Sequence, residues 1–283
     1  MFPKGFRIGE HSLVRLVTTS ANSEVYEARH LPSGEPRAVK VLHSELAQTP
    51  QQVSRFLNEA QILQEFHHPH LVRVLSSDVL PNGRPFMVLE WMPVDLQQCL
   101  IPGQALAPRT AARIAHPLSQ VLAVLHQHGY VHRDLKPGNV LLASRELEEP
   151  RLKLADLGLA KRLPGATAPR SSHAVSTATS THLGTWDYMS PEQWIDSKRA
   201  EAPTDVYALG TLLFQLLAGQ LPFEEEEERH LMYRHLMDPP PLELLGERPP
   251  GPLRELVSAM MAKDTKARPT MREVSEVLAP LTH

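Results

Sequence analysis

The sequence predicts an α+β protein of two unequal parts. Three observations carry that reading: the first ninety residues show strand-like runs around one amphipathic helix, most of the remainder reads as helices joined by loops, and no internal repeat is evident. At 283 residues with 42 % apolar side chains, the chain has material for one large domain or two packed lobes, and a disordered chain is excluded. Twenty-nine Lys and Arg against 32 Asp and Glu leave a net charge of −3, so no global basic field is available for nucleic acid or an anionic membrane. The one cysteine, Cys99, can form no internal disulfide, and no thiol cluster offers a zinc or iron-sulfur site. Lys4, Arg7, Glu10 and Arg15 interrupt any signal-peptide core, and the most apolar stretch, 206–218, is too short to span a bilayer. The expectation is a soluble, cytoplasmic protein without a membrane span.

Taken in order, residues 37–42 alternate as a strand that sets Ala38, Lys40 and Leu42 on one face and Val39 and Val41 on the other. Lys40 therefore stands in an apolar row. A helix follows, with Thr49 as cap, Pro50 at the first helical position and Gln52 completing a Thr-x-x-Gln capping box. On it Val53, Phe56, Ala60 and Leu63 share one arc, and Glu59 falls on the same side. A lone lysine and a lone carboxylate on apolar faces each cost several kcal/mol, roughly, if buried alone, so the sequence predicts a Lys40 to Glu59 ion pair. Two β-rich runs, 71–79 and 84–91, flank Pro81-Asn82-Gly83, which suits a tight hairpin.

In the second half, residues 108–128 read as a helix that stops at Gly129, with Pro117 predicted to kink it. Thr204 is expected to cap a helix over 205–218 that ends at Gly219, and Thr270 with Glu273 forms a capping box for the last helix. The chemistry concentrates in His132-Arg133-Asp134-Leu135-Lys136-Pro137-Gly138-Asn139, the strand Val140-Leu141-Leu142, and Leu152-Lys153-Leu154-Ala155-Asp156-Leu157-Gly158. Asp134, Asn139 and Asp156 are hard oxygen ligands or bases, and Lys40 and Lys136 are compact cations. That set suits a magnesium-bound triphosphate and implies phosphoryl transfer.

On these residues the sequence resembles the eukaryotic-like protein kinase family, and bacterial-type serine/threonine kinases in particular, over about 6–281. Ala38-Val39-Lys40 resembles the strand of the phosphate-binding lysine, Glu59 its helix partner, 132–139 the catalytic loop, and Asp156-Leu157-Gly158 the metal-binding turn with Leu in place of Phe. Ser190-Pro191-Glu192 stands where Ala-Pro-Glu is usual, Arg268 is placed to pair with Glu192, and Asp205 resembles the carboxylate that anchors the catalytic loop. The resemblance implies a bilobal kinase fold within one kinase domain, 1–283. It pairs a small antiparallel-sheet lobe with one main helix, 1–92, and a larger, mostly helical lobe, 93–283, with ATP and Mg2+ in the cleft between them.

It also implies roles. Asp134 would orient the substrate hydroxyl, Lys136 would contact the transferred phosphoryl group, and Asn139 with Asp156 would hold magnesium. Backbone groups of Glu90 and Met92 would receive the adenine, with Leu89 at the back pocket. Asp95 would meet the ribose, with a plain helix cap as its alternative. Val25, Ala38 and Leu141 would sandwich the ring. Lys136 and Gly184-Thr185 point to protein Ser and Thr as substrates.

One motif departs from the family. With Val25 closing the loop between the first two strands, its three glycine positions are Thr18, Ser20 and Ser23. Glycine there would let the backbone approach phosphates closely, so weaker nucleotide binding is expected, with the Ser20 or Ser23 hydroxyl standing in for some amide contacts. Two readings stay open: a working serine/threonine kinase, and a pseudokinase scaffold or allosteric partner.

Residues 164–181 are rich in Ser, Thr, Ala and Pro. Thr167, Ser171, Ser172, Ser176, Thr177, Thr179, Ser180 and Thr181 are candidate autophosphorylation sites, with Arg133 as the cation for such a phosphate and a second copy of the chain as the trans partner. His67-His68-x-His70 and His126-x-His128 lack the ligands that would complete a metal shell. His132 is expected as a structural link beneath the catalytic loop. The run Glu224 to Glu228 is expected to be solvated, with a preference for basic peptides as its functional alternative.

Overall fold

The computed structural model describes residues 1–157, 161–162, 186–197 and 200–283. The expected phosphorylation sites, Gly158 and Gly184-Thr185 lie outside these residues. The chain forms two compact units, Met1–Pro93 and Val94–His283.

The first unit is a sheet with one long helix. Strands β1 (Arg7–Ile8), β2 (His11–Thr19), β3 (Ser23–His30), β4 (Pro36–Leu42), β5 (Val74–Val79) and β6 (Pro85–Glu90) lie in the order β1-β2-β3-β4-β6-β5, with every neighbouring pair antiparallel. Val39 and Val41 join a core of Ile8, Leu13, Tyr26, Ala28, Phe86 and Val88, with Phe2 and Leu16 packed against it. The period of two thus sorts β4 as expected, and Lys40 is on the other face. Between β5 and β6 the hairpin forms with a three-residue loop, Pro81-Asn82-Gly83. Leu80 N donates to Arg84 O, Gly83 N donates back to Leu80 O, and only Gly83 takes positive φ, at 82°.

Helix α1 (Pro50–Glu65) buries Phe56, Glu59, Ala60 and Leu63. The expected capping box is absent. Thr49 is the N-cap residue, but its hydroxyl makes no cap bond, and the Gln52 amide donates at 2.9 Å to the Thr49 carbonyl.

The second unit is mainly helical. Strands β7 (Val94–Asp95), β9 (Val140–Leu142) and β10 (Leu152–Leu154) form a small antiparallel sheet, and β8 (Tyr130–Val131) pairs with β11 (Lys161–Arg162). The helices are α2 (Pro108–Gln127), α3 (Pro191–Asp196), α4 (Ala202–Ala218), α5 (Glu228–Met237), α6 (Gly251–Met260) and α7 (Met271–Leu278). Helix α2 runs on through Pro117, and two residues later Ser119 turns its hydroxyl onto the His116 carbonyl at 2.6 Å.

Helix α4 is buried on almost every side, as suits the centre of a unit packed by α2, α6 and α7. Gly210 lets α6 come close, since a Cβ there would sit 2.8 Å from Met260 Cβ. Gly219 ends α4 at φ 76°, where a side chain would meet the backbone of Gln104 and Ala105. The helix begins earlier than expected. Glu201 is its N-cap, Pro203 lies in the first turn, and Thr204 is inside the helix with its hydroxyl donated to Glu192 Oε1 at 2.8 Å. The α7 capping box forms as expected between Thr270 and Glu273. Among the described residues no helix is long and apolar enough to cross a membrane.

Candidate active site

In the first unit, Lys40 Nζ donates to Glu59 Oε1 at 2.7 Å, with both residues less than a tenth exposed. Each charge is buried on an apolar face and the two neutralise one another, as expected. Val25 lies opposite Lys40 in the β3/β4 register, and Ala38 precedes it by two on the same face. Glu90 ends β6 with its Oε1 accepting the Arg73 amide at 2.7 Å, Met92 follows half-buried, and Leu89 is buried.

The loop between β2 and β3 is closed on itself. Ser20 Oγ accepts the amides of Asn22 and Ser23 at 3.3 and 3.1 Å, Ser20 N donates to Ser23 O at 2.9 Å, and the two serine hydroxyls lie 3.2 Å apart. Outside the loop, His43 Nε2 donates to Ser20 O at 2.8 Å and His43 N donates to Asn22 O at 2.9 Å. Thr18 is exposed and Ser23 is 2 % exposed. Two amides and both hydroxyls that the sequence offered for phosphate contact are therefore engaged within the loop.

In the second unit, Asp134, Lys136 and Asn139 come together. Lys136 Nζ lies 3.1 Å from Asp134 Oδ2, and Asn139 Nδ2 donates to Asp134 O at 2.6 Å and to Oδ2 at 3.0 Å. With its nitrogen so used, Asn139 keeps its oxygen as an acceptor. Asn139 O accepts the amide of Ala155 at 2.9 Å, which ties the loop to the residue before Asp156. Asp156 itself has φ 65°, in the left-handed region. Amide oxygen and carboxylate oxygen are the hard donors that magnesium takes, and two protein ligands are enough for an ion that shares its shell with phosphates and water. Asp95 is an N-cap: Oδ1 accepts Gln98 N at 3.0 Å, and the residue faces Leu141 across the β7/β9 register.

A fully buried carboxylate organises the loop from beneath. Asp205 Oδ2 accepts His132 N at 2.8 Å and His126 Nε2 at 2.7 Å, and Oδ1 accepts Arg133 N at 2.8 Å. Burial alone would raise the Asp205 pKa. The bond and charge of His126 and the Arg133 amide outweigh it, and the carboxyl lies below its ordinary range. His132 is buried, with Nε2 on Ala155 O at 3.1 Å and Nδ1 accepting Asp134 N at 3.3 Å. This assigns the Nε2–H tautomer and the linking role expected of it. Arg133 has φ 70°, and one of its guanidinium nitrogens donates to Ala200 O.

Sequence reasoning missed two residues here. His126 was considered only as a metal ligand, a role for which its surroundings lacked the other ligands, and was given no other; it bonds Asp205 at 2.7 Å. Gln193 carried no signal beyond its position three residues after Ser190, and it reaches Arg133. The expected Arg268 to Glu192 pair forms twice over, at 2.8 and 2.9 Å.

The family model of the protein kinase domain matches residues 14–277. The chain is 34 % identical over 260 residues to serine/threonine-protein kinase Pkn1 of Myxococcus xanthus, covering 91 % of this chain and 35 % of that protein. It is 35 % identical over 222 residues to serine/threonine-protein kinase PknB of Mycolicibacterium smegmatis, covering 77 % of this chain and 34 % of that one. A third relative, probable serine/threonine-protein kinase pknA2 of Bifidobacterium longum, is 30 % identical over 283 residues, with 96 % and 36 % covered. The chain spans about a third of the length of these relatives.

Proposed function

The chain belongs to the protein kinase domain family, and from that premise we propose that it transfers the γ-phosphoryl group of ATP to Ser or Thr hydroxyls of proteins. The observation that carries the proposal is the loop in which Asp134 is held by Asn139 and Lys136 above a fully buried Asp205. Relatives named as serine/threonine kinases support the substrate class and give the scaffold alternative no support.

In this reading Asp134 orients the substrate hydroxyl and accepts its proton, and Lys136 meets the charge that develops on the transferred group. Lys40, fixed by Glu59, holds the phosphates. Asn139 and Asp156 would hold magnesium, which neutralises charge on the β- and γ-phosphates when bound. Glu90 and Met92 supply backbone contacts to adenine, Val25, Ala38 and Leu141 flank the ring, and Asp95 faces the ribose. Thr18, Ser20 and Ser23 border the phosphates, and the Ser20 bonds must open before the Asn22 and Ser23 amides reach a ligand.

The whole chain, 1–283, is read as one kinase domain with lobes 1–92 and 93–283. Autophosphorylation within 163–185 by a second copy and residence in the cytoplasm belong to the same proposal, the latter resting on a single thiol in the chain. The test is radiolabelled phosphate transfer from ATP to the protein itself and to a generic basic protein, with Asp134→Asn as control. Incorporation above the control is expected, and its absence overturns the reading. Mass spectrometry of the wild type is expected to find phosphate between 163 and 185.

A further inference from the structure

Asp134 is presented by a peptide plane that is pinned on both edges. Its N–H, on Asp134, donates to His132 Nδ1 at 3.3 Å. Its carbonyl, on Arg133, accepts Gln193 Nε2 at 3.0 Å across a separation of 60 residues. The plane needs holding, because Arg133 stands at φ 70°, a conformation that costs a side-chain-bearing residue free energy and is kept by bonds on both sides of it, Arg133 N on Asp205 and Arg133 O on Gln193.

The other end of the same amide closes α3. Gln193 Oε1 accepts Ser190 N at 3.1 Å and Ser190 Oγ at 3.2 Å, a capping box, while Ser190 is fully buried against Thr204. One side chain therefore faces two ways. Its oxygen fixes the start of α3, and its nitrogen fixes the carbonyl immediately before the proposed catalytic carboxylate.

We infer that Gln193 is a positioning residue for Asp134: it couples the seating of α3 to the orientation of the catalytic loop. The inference rests on the kinase reading given above. It requires an amide at 193, because a capping box alone needs only an acceptor. This chain makes its other box, on α7, with Glu273.

Two variants separate the roles. Gln193→Glu keeps the acceptor for Ser190 and loses the donor to Arg133; Gln193→Met loses both without adding charge. Steady-state phosphate transfer to a generic basic protein, with ATP varied, is measured beside thermal melting. Both variants are expected to lose about ten- to a hundredfold in kcat, the scale of a small misplacement of a reacting group, while KM for ATP stays within about twofold. Gln193→Glu is expected to keep the wild-type melting temperature within about 2 °C, since its capping box survives. Wild-type kcat in either variant overturns the inference, and so does a loss in Gln193→Glu that follows a fall in melting temperature. Wild type no more active than Asp134→Asn overturns the kinase reading and this inference together, whereas active wild type with unchanged variants overturns this inference alone.

Discussion

Arg268 reaches the Glu192 carboxylate with two nitrogens, at 2.8 and 2.9 Å, donates to the carbonyls of Ala262 and Pro203 at 2.7 and 2.9 Å, and lies over the Tyr207 ring at 4.9 Å. Its side chain is fully shielded from solvent. Replacing it with methionine keeps much of the volume but leaves a partly buried carboxylate without its cation, a change that costs about 3 kcal/mol, the low end for a buried pair. In a domain of this size that is a fall of about 10 °C in melting temperature.

The penalty carries a pH signature. In the wild type, burial pushes the Glu192 carboxyl up, but the bond to Arg268 and its charge outweigh it and hold the pKa below 4.5. Such a group contributes stability that is present above its unfolded pKa and lost as pH falls through the lower folded value. Without the guanidinium, burial acts against the charged form, the folded pKa rises, and the sign reverses: stability is retained in acid and lost as pH climbs. The gap between wild type and Arg268→Met should therefore widen from about pH 4 to pH 7 in urea titrations. Adding Glu192→Gln, which removes the stranded charge, should recover half or more of the loss. A penalty under about 1 kcal/mol, or one equal at both ends of that range, would refute the reasoning.

Two further outcomes follow from the same structure. Ser20→Gly frees the Asn22 and Ser23 amides, each worth about 1.5–3 kcal/mol to a charged acceptor against about 0.5–1 kcal/mol of added loop entropy. Calorimetry should find ATP bound at least threefold more tightly, and unchanged or weaker binding would count against the closed-loop account. Lys263 is lowered from 10.5 to about 8 by burial and then by the Arg268 charge. Because the unfolded chain holds that proton to higher pH, wild-type stability should rise between pH 8 and 9.5, by about 1 kcal/mol once the full shift's about 1.6 kcal/mol is discounted for solvent screening of a partly exposed ammonium, a gain that Lys263→Gln should abolish. Parallel pH curves for the two proteins would dismiss it.

What could be read from the chain alone was what local spacing encodes. The Lys40 and Glu59 pair was legible because each charge interrupts an apolar stripe whose period is known. The loop from His132 to Asn139 was legible because its residue types are rare in that order and the resemblance gave them roles. The caps at Thr49 and Thr204 were misread for different reasons: at Thr49 the Gln52 amide goes to the carbonyl and not to the hydroxyl, and at Thr204 the helix starts earlier and the hydroxyl goes to Glu192. Gln193 and His126 escaped notice because neither sits in an unusual local pattern. Their significance comes from partners 60 and 79 residues away. The closure of the loop at Ser20 escaped notice for a local reason, since its serines were weighed against a ligand and not against amides two and three residues on.

The backbone at Arg133 and Asp156, at φ 70° and 65°, sets two demands against each other. Each position costs about 1–2 kcal/mol relative to a glycine that would occupy it without penalty. A population of variants selected only to survive heat would be expected to drift toward Gly or Asn at 133 and 156 and, on the roles proposed for these residues, would lose activity as it gained endurance. Where those two side chains persist under such selection, something other than robustness is preserving them.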